Sequence, residues 1–171
     1  KDKTIHYKNA FLRLYNVPVM YFPKFFHPDP TVKRSSGFLT PRIKNSQNSD
    51  GYLNTPYFLA IAKNKDATFS PRFYEDDKLL LQTEYRQTNS KTYHHADFSL
   101  FAEKNKDSKH LFYEYDKNIS FKNFESGLFD LIIQKTSNDT YLRANKLKSE
   151  LITDQNVLEN SLNVDLEVSV Y

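Results

Sequence analysis

The C-terminal end of the chain alternates with a strict period of two. Leu158, Leu162, Val164, Leu166, Val168 and Val170 share one parity, while Glu159, Asn163, Asp165, Glu167 and Ser169 share the other. Neighbouring side chains on an extended strand point to opposite faces, so this segment has one apolar and one polar face. Leu79, Leu81, Thr83 and Tyr85 against Gln82, Glu84 and Arg86 repeat the pattern. Ile5–Tyr15 and Val17–Phe22 read as strands before a boundary near His27–Thr31, and eight more are expected after it, at approximately 36–44, 51–61, 66–74, 78–88, 92–102, 109–118, 126–135 and 157–171. Most come close to the roughly 9–11 residues that a tilted strand needs to cross a bilayer. A soluble sandwich turns its polar face to water, whereas a membrane barrel turns it to the lumen and its apolar face to lipid. Periodicity alone leaves both open.

Composition narrows the classes. Phe (14) and Tyr (12) are abundant, a β-favouring bias. The mean hydropathy is −0.71 and no apolar run approaches the roughly 18 residues of a spanning helix, which excludes a helical membrane protein. With 24 basic against 21 acidic residues the charge is nearly balanced, which argues against nucleic acid as a partner. The absence of Cys excludes thiol catalysis, disulfides and Cys-based zinc sites. The start at Lys1 rather than Met, and the end at Tyr171 inside a patterned segment, suggest a piece of a longer protein.

Connections carry a weaker signal. Ala62–Lys65 and Asn89–Lys91 read as short turns at one end of the sheet, while Asn45–Asp50, Glu103–Ser108 and Thr136–Asn156 read as longer loops at the other, the habit of outer-membrane barrels. Glu75–Asp77 and Ile119–Glu125 run against that rule. Leu142, Leu147 and Leu151 suggest a short helix in the longest loop.

Few residues read as chemistry. His94 and His95 are strand neighbours that cannot share an ion without a bulge, so they read as partly exposed histidines, and adding His27 and Asp29 does not rescue a metal site. Asp76–Asp77 reads as a tight turn. Gly37, Gly51 and Gly127 are isolated, so no phosphate loop exists. No nucleophile, base and orienter can be placed together. No enzyme, cofactor or metal is expected. Lys33–Arg34 beside Ser35-Ser36-Gly37 reads, on chemistry alone, as a solvated linker with some capacity for phosphate.

The prolines stand out. Pro41, Pro56 and Pro71 lie 15 residues apart, and each interrupts a segment that otherwise reads as a strand. Proline lacks the ladder donor and survives mainly at edges and bulges, so three in successive strands imply a sheet region whose hydrogen bonding is kept weak.

The run Asn16-Val17-Pro18-Val19-Met20-Tyr21-Phe22-Pro23-Lys24-Phe25-Phe26-His27-Pro28-Asp29-Pro30-Thr31-Val32-Lys33-Arg34-Ser35-Ser36-Gly37-Phe38-Leu39-Thr40-Pro41 resembles the junction of the lipopolysaccharide-assembly outer-membrane protein LptD family. Thr55-Pro56-Tyr57-Phe58-Leu59-Ala60-Ile61-Ala62, Asn64-Lys65-Asp66-Ala67-Thr68-Phe69-Ser70-Pro71 and Glu84-Tyr85-Arg86 follow as that family's next blocks, and Asp139-Thr140-Tyr141-Leu142-Arg143 is a further family-like element. The His-Pro-Asp-Pro-Thr-Val-Lys-Arg version resembles the alphaproteobacterial branch.

The resemblance implies an all-β chain. Residues 1–30 would end a periplasmic β-jellyroll, with the boundary near His27–Thr31, and residues 31–171 would open an incomplete outer-membrane β-barrel. It implies lipopolysaccharide as cargo, outer-membrane lipid around the barrel, a plug lipoprotein (LptE or an equivalent) inside it, and a periplasmic bridge protein (LptA or an equivalent) docked on a part outside this chain. Pro41 and Pro56 would weaken a lateral gate. Phe22, Phe25 and Phe26 beside Lys24, Lys33 and Arg34 would offer acyl chains an apolar surface and phosphates a set of cations. Val164, Leu166 and Val168 would face lipid, and Asp165 and Glu167 the lumen. The competing expectation is a soluble all-β glycan-binding module whose aromatic rings stack on sugars.

Overall fold

In the computed structural model the described residues are 4–14, 16–28, 34–44, 51–75, 78–103, 106–120, 124 and 126–168. Strands β1 (Thr4–Leu14) and β2 (Val17–Pro28) form a two-stranded antiparallel sheet. Asn16, at φ 67°, supplies the left-handed residue that a tight hairpin turn needs.

The other strands form one antiparallel sheet. They are β3 (Gly37–Phe38), β4 (Arg42–Lys44), β5 (Tyr52–Asn54), β6 (Tyr57–Ala62), β7 (Lys65–Tyr74), β8 (Leu79–Thr88), β9 (Thr92–Glu103), β10 (Lys106–Ile119), β11 (Ser126–Thr136) and β12 (Asn160–Glu167). From β7 to β12 each strand pairs with the next. At the other end β5 and β6 divide one strand position between them, both pairing with β7, and β3 and β4 do the same against β6 and β5. The ten segments therefore fill the eight strand positions that the alternation predicts. The sheet is not closed, its outer strands being β4 with β3 at one edge and β12 at the other.

Register keeps the two faces distinct. Glu84 pairs with Asp97, Asp97 with Phe112 and Phe112 with Gln134, all on one face. On the other, Phe69 pairs with Thr83, Thr83 with Phe98 and Phe98 with Leu111. The second face exposes Ile43, Phe69, Phe73, Leu79, Phe98, Leu100, Leu111, Ile133, Leu162, Val164 and Leu166. So extended an exposed apolar surface needs a cover. Asp165 and Glu167 lie on the opposite face, across from Leu128 and Ser126.

The connection between β11 and β12 folds back over the polar face. Its one helical turn, α1 (Tyr141–Ala144), buries Tyr141 and Leu142, and non-helical backbone beyond it buries Leu147. These pack on Leu80 and Phe112, with Tyr74, Phe101, Leu151 and Ile152 around them. The expected helix is thus a single turn, and the loop leucines are buried by docking rather than by helical periodicity. Between β9 and β10 the strands run to Glu103 and resume at Lys106, so the longer loop expected at Glu103–Ser108 is a tight hairpin. Asn45–Asp50, Asp76–Asp77, Asp29, Ser169 and Val170 lie outside the described residues.

Candidate functional site

Two features of the sheet bear on function, a broken first hairpin and a heavily hydrogen-bonded polar face. In the hairpin, Phe38 pairs with Tyr57 and Arg42 with Asn54, leaving Leu39, Thr40 and Pro41 opposite only Thr55 and Pro56. The extra residue is a bulge at the proline level. The Leu39 N–H donates to the Pro56 carbonyl at 2.8 Å, and the Thr55 N–H donates to the Pro71 carbonyl at 3.2 Å. The three prolines thus lie at one level across three strands, accepting where they can and donating nothing. Pro56 is buried and Pro41 exposed. By contrast, β9 and β10 pair without interruption from Glu103↔Lys106 to Thr92↔Lys117.

The polar face carries a chain of ion pairs toward the Lys63–Asn64 turn. Arg34 pairs with Asp66, donates to the Lys63 carbonyl at 2.6 Å and stacks over Phe58, its guanidinium 5.9 Å from the ring. Asp66 also accepts from Arg86 at 3.1 Å, and Arg86 lies 4.0 Å from Glu84. Glu84 accepts from His95 Nε2 at 2.8 Å, and the Tyr93 hydroxyl lies 3.2 Å from His95 Nδ1. The segment leading into the large sheet is thereby tied to its third strand position.

Farther along the face, under the docked loop, Asp97, Ser99 and His110 are 2%, 0% and 1% exposed. His110 Nε2 lies 3.2 Å from Asp97, His110 Nδ1 lies 2.6 Å from Ser99 Oγ, and Ser99 Oγ lies 2.8 Å from the Tyr141 hydroxyl. With Asp97 ionised the donors run one way, from Tyr141 to Ser99 to His110 Nδ1 and from His110 Nε2 to Asp97. Gln82 donates to both Asp97 oxygens at 3.1 and 3.0 Å and to the Lys148 carbonyl at 3.0 Å. The Asp, His and Ser side chains share the order of a nucleophile relay, but the serine is sealed and its oxygen is held by Tyr141. The relay fastens the loop to the wall. Arg72, donating to the Asn145 carbonyl at 2.7 Å, and Gln134, donating to the Leu151 carbonyl at 2.7 Å, add two further fasteners. Burial pushes the Tyr141 hydroxyl above its ordinary pKa, with the Ser99 contact pulling the other way.

The sequence-derived residues fall into separate groups. Pro41 and Pro56 are brought together at the broken hairpin. Phe22, half-buried, and Lys24, exposed, stand on β2 opposite Ala10 and Lys8. Phe25 and Phe26 lie on β2 opposite Tyr7 and His6, and their side chains are outside the description. Lys33 lies outside the described residues. Arg34 is committed to Asp66. His94 and His95 do point to opposite faces: His94 lies 2.9 Å from the Tyr113 hydroxyl and stacks on Tyr115 at 4.7 Å. His95, however, is buried rather than partly exposed.

The sequence reading missed the loop fasteners. Leu80 and Phe112 were the available signal, being apolar residues at positions whose parity is otherwise polar, which marks a part of that face under cover. It also missed the donor set of Glu84, His95 and Glu150, whose ligand atoms lie within 4.8 Å of one another. Two carboxylates and an imidazole suit a divalent cation, although His95 and Glu84 already satisfy each other here.

No family model matches the chain. It is 33% identical over 141 residues to the LPS-assembly protein LptD of Pseudoalteromonas translucida, covering 78% of this chain and 18% of that protein. It is 35% identical over 109 residues to LptD of Pseudomonas savastanoi pv. phaseolicola, covering 64% and 12%. To LptD of Hahella chejuensis it is 37% identical over 103 residues, covering 60% and 13%. The chain thus spans less than a fifth of the length of these relatives. With most of its length aligned to these proteins, it belongs to the LPS-assembly protein LptD family.

Proposed function

We propose that this chain forms the opening part of an outer-membrane barrel that delivers lipopolysaccharide to the outer leaflet in a Gram-negative bacterium. The observation that carries the reading is the contrast within one sheet. Its outward face carries a broad band of apolar side chains, its inner face is mostly polar, and its first two strand positions are broken at aligned prolines. An apolar exterior fits lipid and a polar interior fits sugars in transit. That exterior counts against the soluble glycan-binding module, which would have to leave it in water. A hairpin with missing donors is the cheapest part of such a wall to open, so Pro41 and Pro56 serve a lateral gate between the first strands and strands beyond this chain. No bond is made or broken.

In this reading residues 1–30 end a periplasmic jellyroll that receives lipopolysaccharide from a bridge protein, LptA or an equivalent, and a plug lipoprotein, LptE or an equivalent, occupies the lumen. Phe22, Phe25 and Phe26 receive acyl chains. Lys24 and Lys33 meet phosphates, while Arg34 holds the junction to Asp66. The test is photo-crosslinking in living cells with the full-length protein. A probe at Phe22 should label lipopolysaccharide, and one at Phe98 on the outward face should label it far less. Absence of labelling at Phe22 and at inward positions such as Asn163 sinks the transport reading.

A further inference from the structure

A cavity of about 360 Å3 opens between the ends of β4, β5, β7 and β9 and the docked loop, walled by Tyr52, Tyr74 and Phe101. Its size lies within the usual range for small-molecule sites. Its electrostatics are unusual. Lys44 from β4 and Lys146 from the loop also line it. Lys146 is presented from a left-handed backbone, φ 49°, which a residue with a side chain adopts at some cost. Lys44 also lies over the Tyr52 ring at 5.9 Å.

Behind the wall sits a third cation. Arg72 is 8% exposed, stacks on Tyr52 at 5.1 Å and donates to the Asn145 carbonyl. Its Nε has no hydrogen-bond partner, and neither has Oδ1 of the neighbouring Asn54. No carboxylate among the described residues pairs with Arg72, Lys44 or Lys146. The one acidic residue lining the cavity, Glu103, is 3.5 Å from Lys78. A buried guanidinium whose Nε has no partner costs free energy, and an anion held by the two lysines of the cavity would answer its charge.

We infer that this cavity binds a phosphate-bearing saccharide, its phosphate between Lys44 and Lys146 over the field of Arg72 and its ring against Tyr74 and Phe101. The choice of a saccharide over a simple anion rests on the proposed transport of lipopolysaccharide and on the aromatic walls, which offer flat apolar faces that inorganic phosphate cannot use. The site joins β4 and β5, at the broken hairpin, to the fastened loop. It would hold the polar end of the cargo beside the exit while the acyl chains leave.

The experiment uses the full-length protein in detergent and, as probe, the phosphorylated saccharide of lipopolysaccharide freed of its acyl chains, with binding followed by calorimetry. The wild type should bind it with an affinity that falls as salt rises. Lys44→Gln combined with Lys146→Gln, neutral changes at accessible positions, should weaken binding at least tenfold while leaving heat-modifiable gel migration unchanged. The dephosphorylated saccharide should lose as much. Equal binding by wild type and the double variant overturns the site. Inorganic phosphate binding as tightly as the saccharide overturns the assignment of a sugar. Restoration of lipopolysaccharide export by the wild-type gene in depleted cells is scored separately. Failure there discards the transport reading, whereas normal export with no saccharide binding discards only this cavity.

Discussion

The first hairpin and the block from β8 to β11 are built from the same kind of sequence and behave as opposites. Both alternate apolar and polar residues, and both place aromatic rings outward. In the block every ladder is continuous, and the loop is fastened across the inner face by the Tyr141–Ser99–His110–Asp97 relay over Leu80 and Phe112. In the hairpin the ladder survives only at Gly37–Phe38 and Arg42–Lys44. Alternation sets which face a residue takes, while the supply of donors and of inner-face cover sets how firmly the strand is held. One wall can thus be rigid over most of its width and weak at one edge.

The strongest way to break the contrast is to loosen the rigid block. Phe112 is fully buried beneath the loop. Phe112→Ala should cost about 3–5 kcal/mol through lost burial and the cavity left behind. Urea unfolding of the full-length protein in lipid vesicles measures it, together with proteolysis of the 137–159 loop. A loss below about 1 kcal/mol would mean that the loop is not part of the folded wall.

A second change asks whether both regions share one membrane frame. Val164 is exposed on the outward face and pairs with Phe129, while its neighbour Asp165 lies inward opposite Leu128. Val164→Arg should cost about 2–4 kcal/mol if that face meets lipid near midplane, and Asp165→Arg far less. Assembly yield of the heat-modifiable form reports both, and equal yields would remove the membrane frame.

These two residues also show what the sequence made legible. Facing is dictated by parity, which local sequence records directly, and so the strand positions and the side assigned to Val164 and Asp165 could be read in advance. The weak hairpin was legible for a related reason, because a missing N–H is a property of proline itself. The loop was not. Its docking depends on Tyr141 meeting Ser99 across 42 residues and Gln134 meeting Leu151 across 17, and no period encodes such meetings. Only Leu80 and Phe112, apolar at polar parity, hinted at a cover. The cation cluster was hidden likewise, since Lys44, Arg72 and Lys146 come together only after the loop folds back.

The third change strengthens the weak region. Each proline withholds a donor, and a restored backbone hydrogen bond contributes about 0.5–1.5 kcal/mol net. Pro41→Ala with Pro56→Ala should therefore tighten the closed hairpin by about 1–3 kcal/mol, which lowers an open population several-fold or more. The protein should insert normally, deliver lipopolysaccharide slowly and leave a leakier outer membrane. Lys63 and Lys65, at the turn away from the bulge, are control positions. Export at the wild-type rate by a normally assembled double variant would end the gating role.

The smallest change isolates one fastener. Tyr141→Phe keeps the buried ring and removes only the hydroxyl that reaches Ser99, while Ser99 retains His110. At neutral pH the loss should be about 0.5–1.5 kcal/mol, read as faster proteolysis of the loop. The same hydroxyl gives the loop a pH dependence of known sign. Burial raises its folded-state pKa above the ordinary value of about 10, so the unfolded or undocked chain gives up the proton first. The stabilisation is complete below pH 10 and is lost as pH climbs toward the raised folded value. Tyr141→Phe has no such proton to lose. Other tyrosines and lysines titrate alike in both proteins, so the difference between wild type and variant should shrink steadily above pH 10. A difference that stays constant from pH 8 to 11 would mean that Tyr141 is not buried against Ser99, and the loop would then rest on its leucines and on the contacts of Gln82, Arg72 and Gln134 with its backbone.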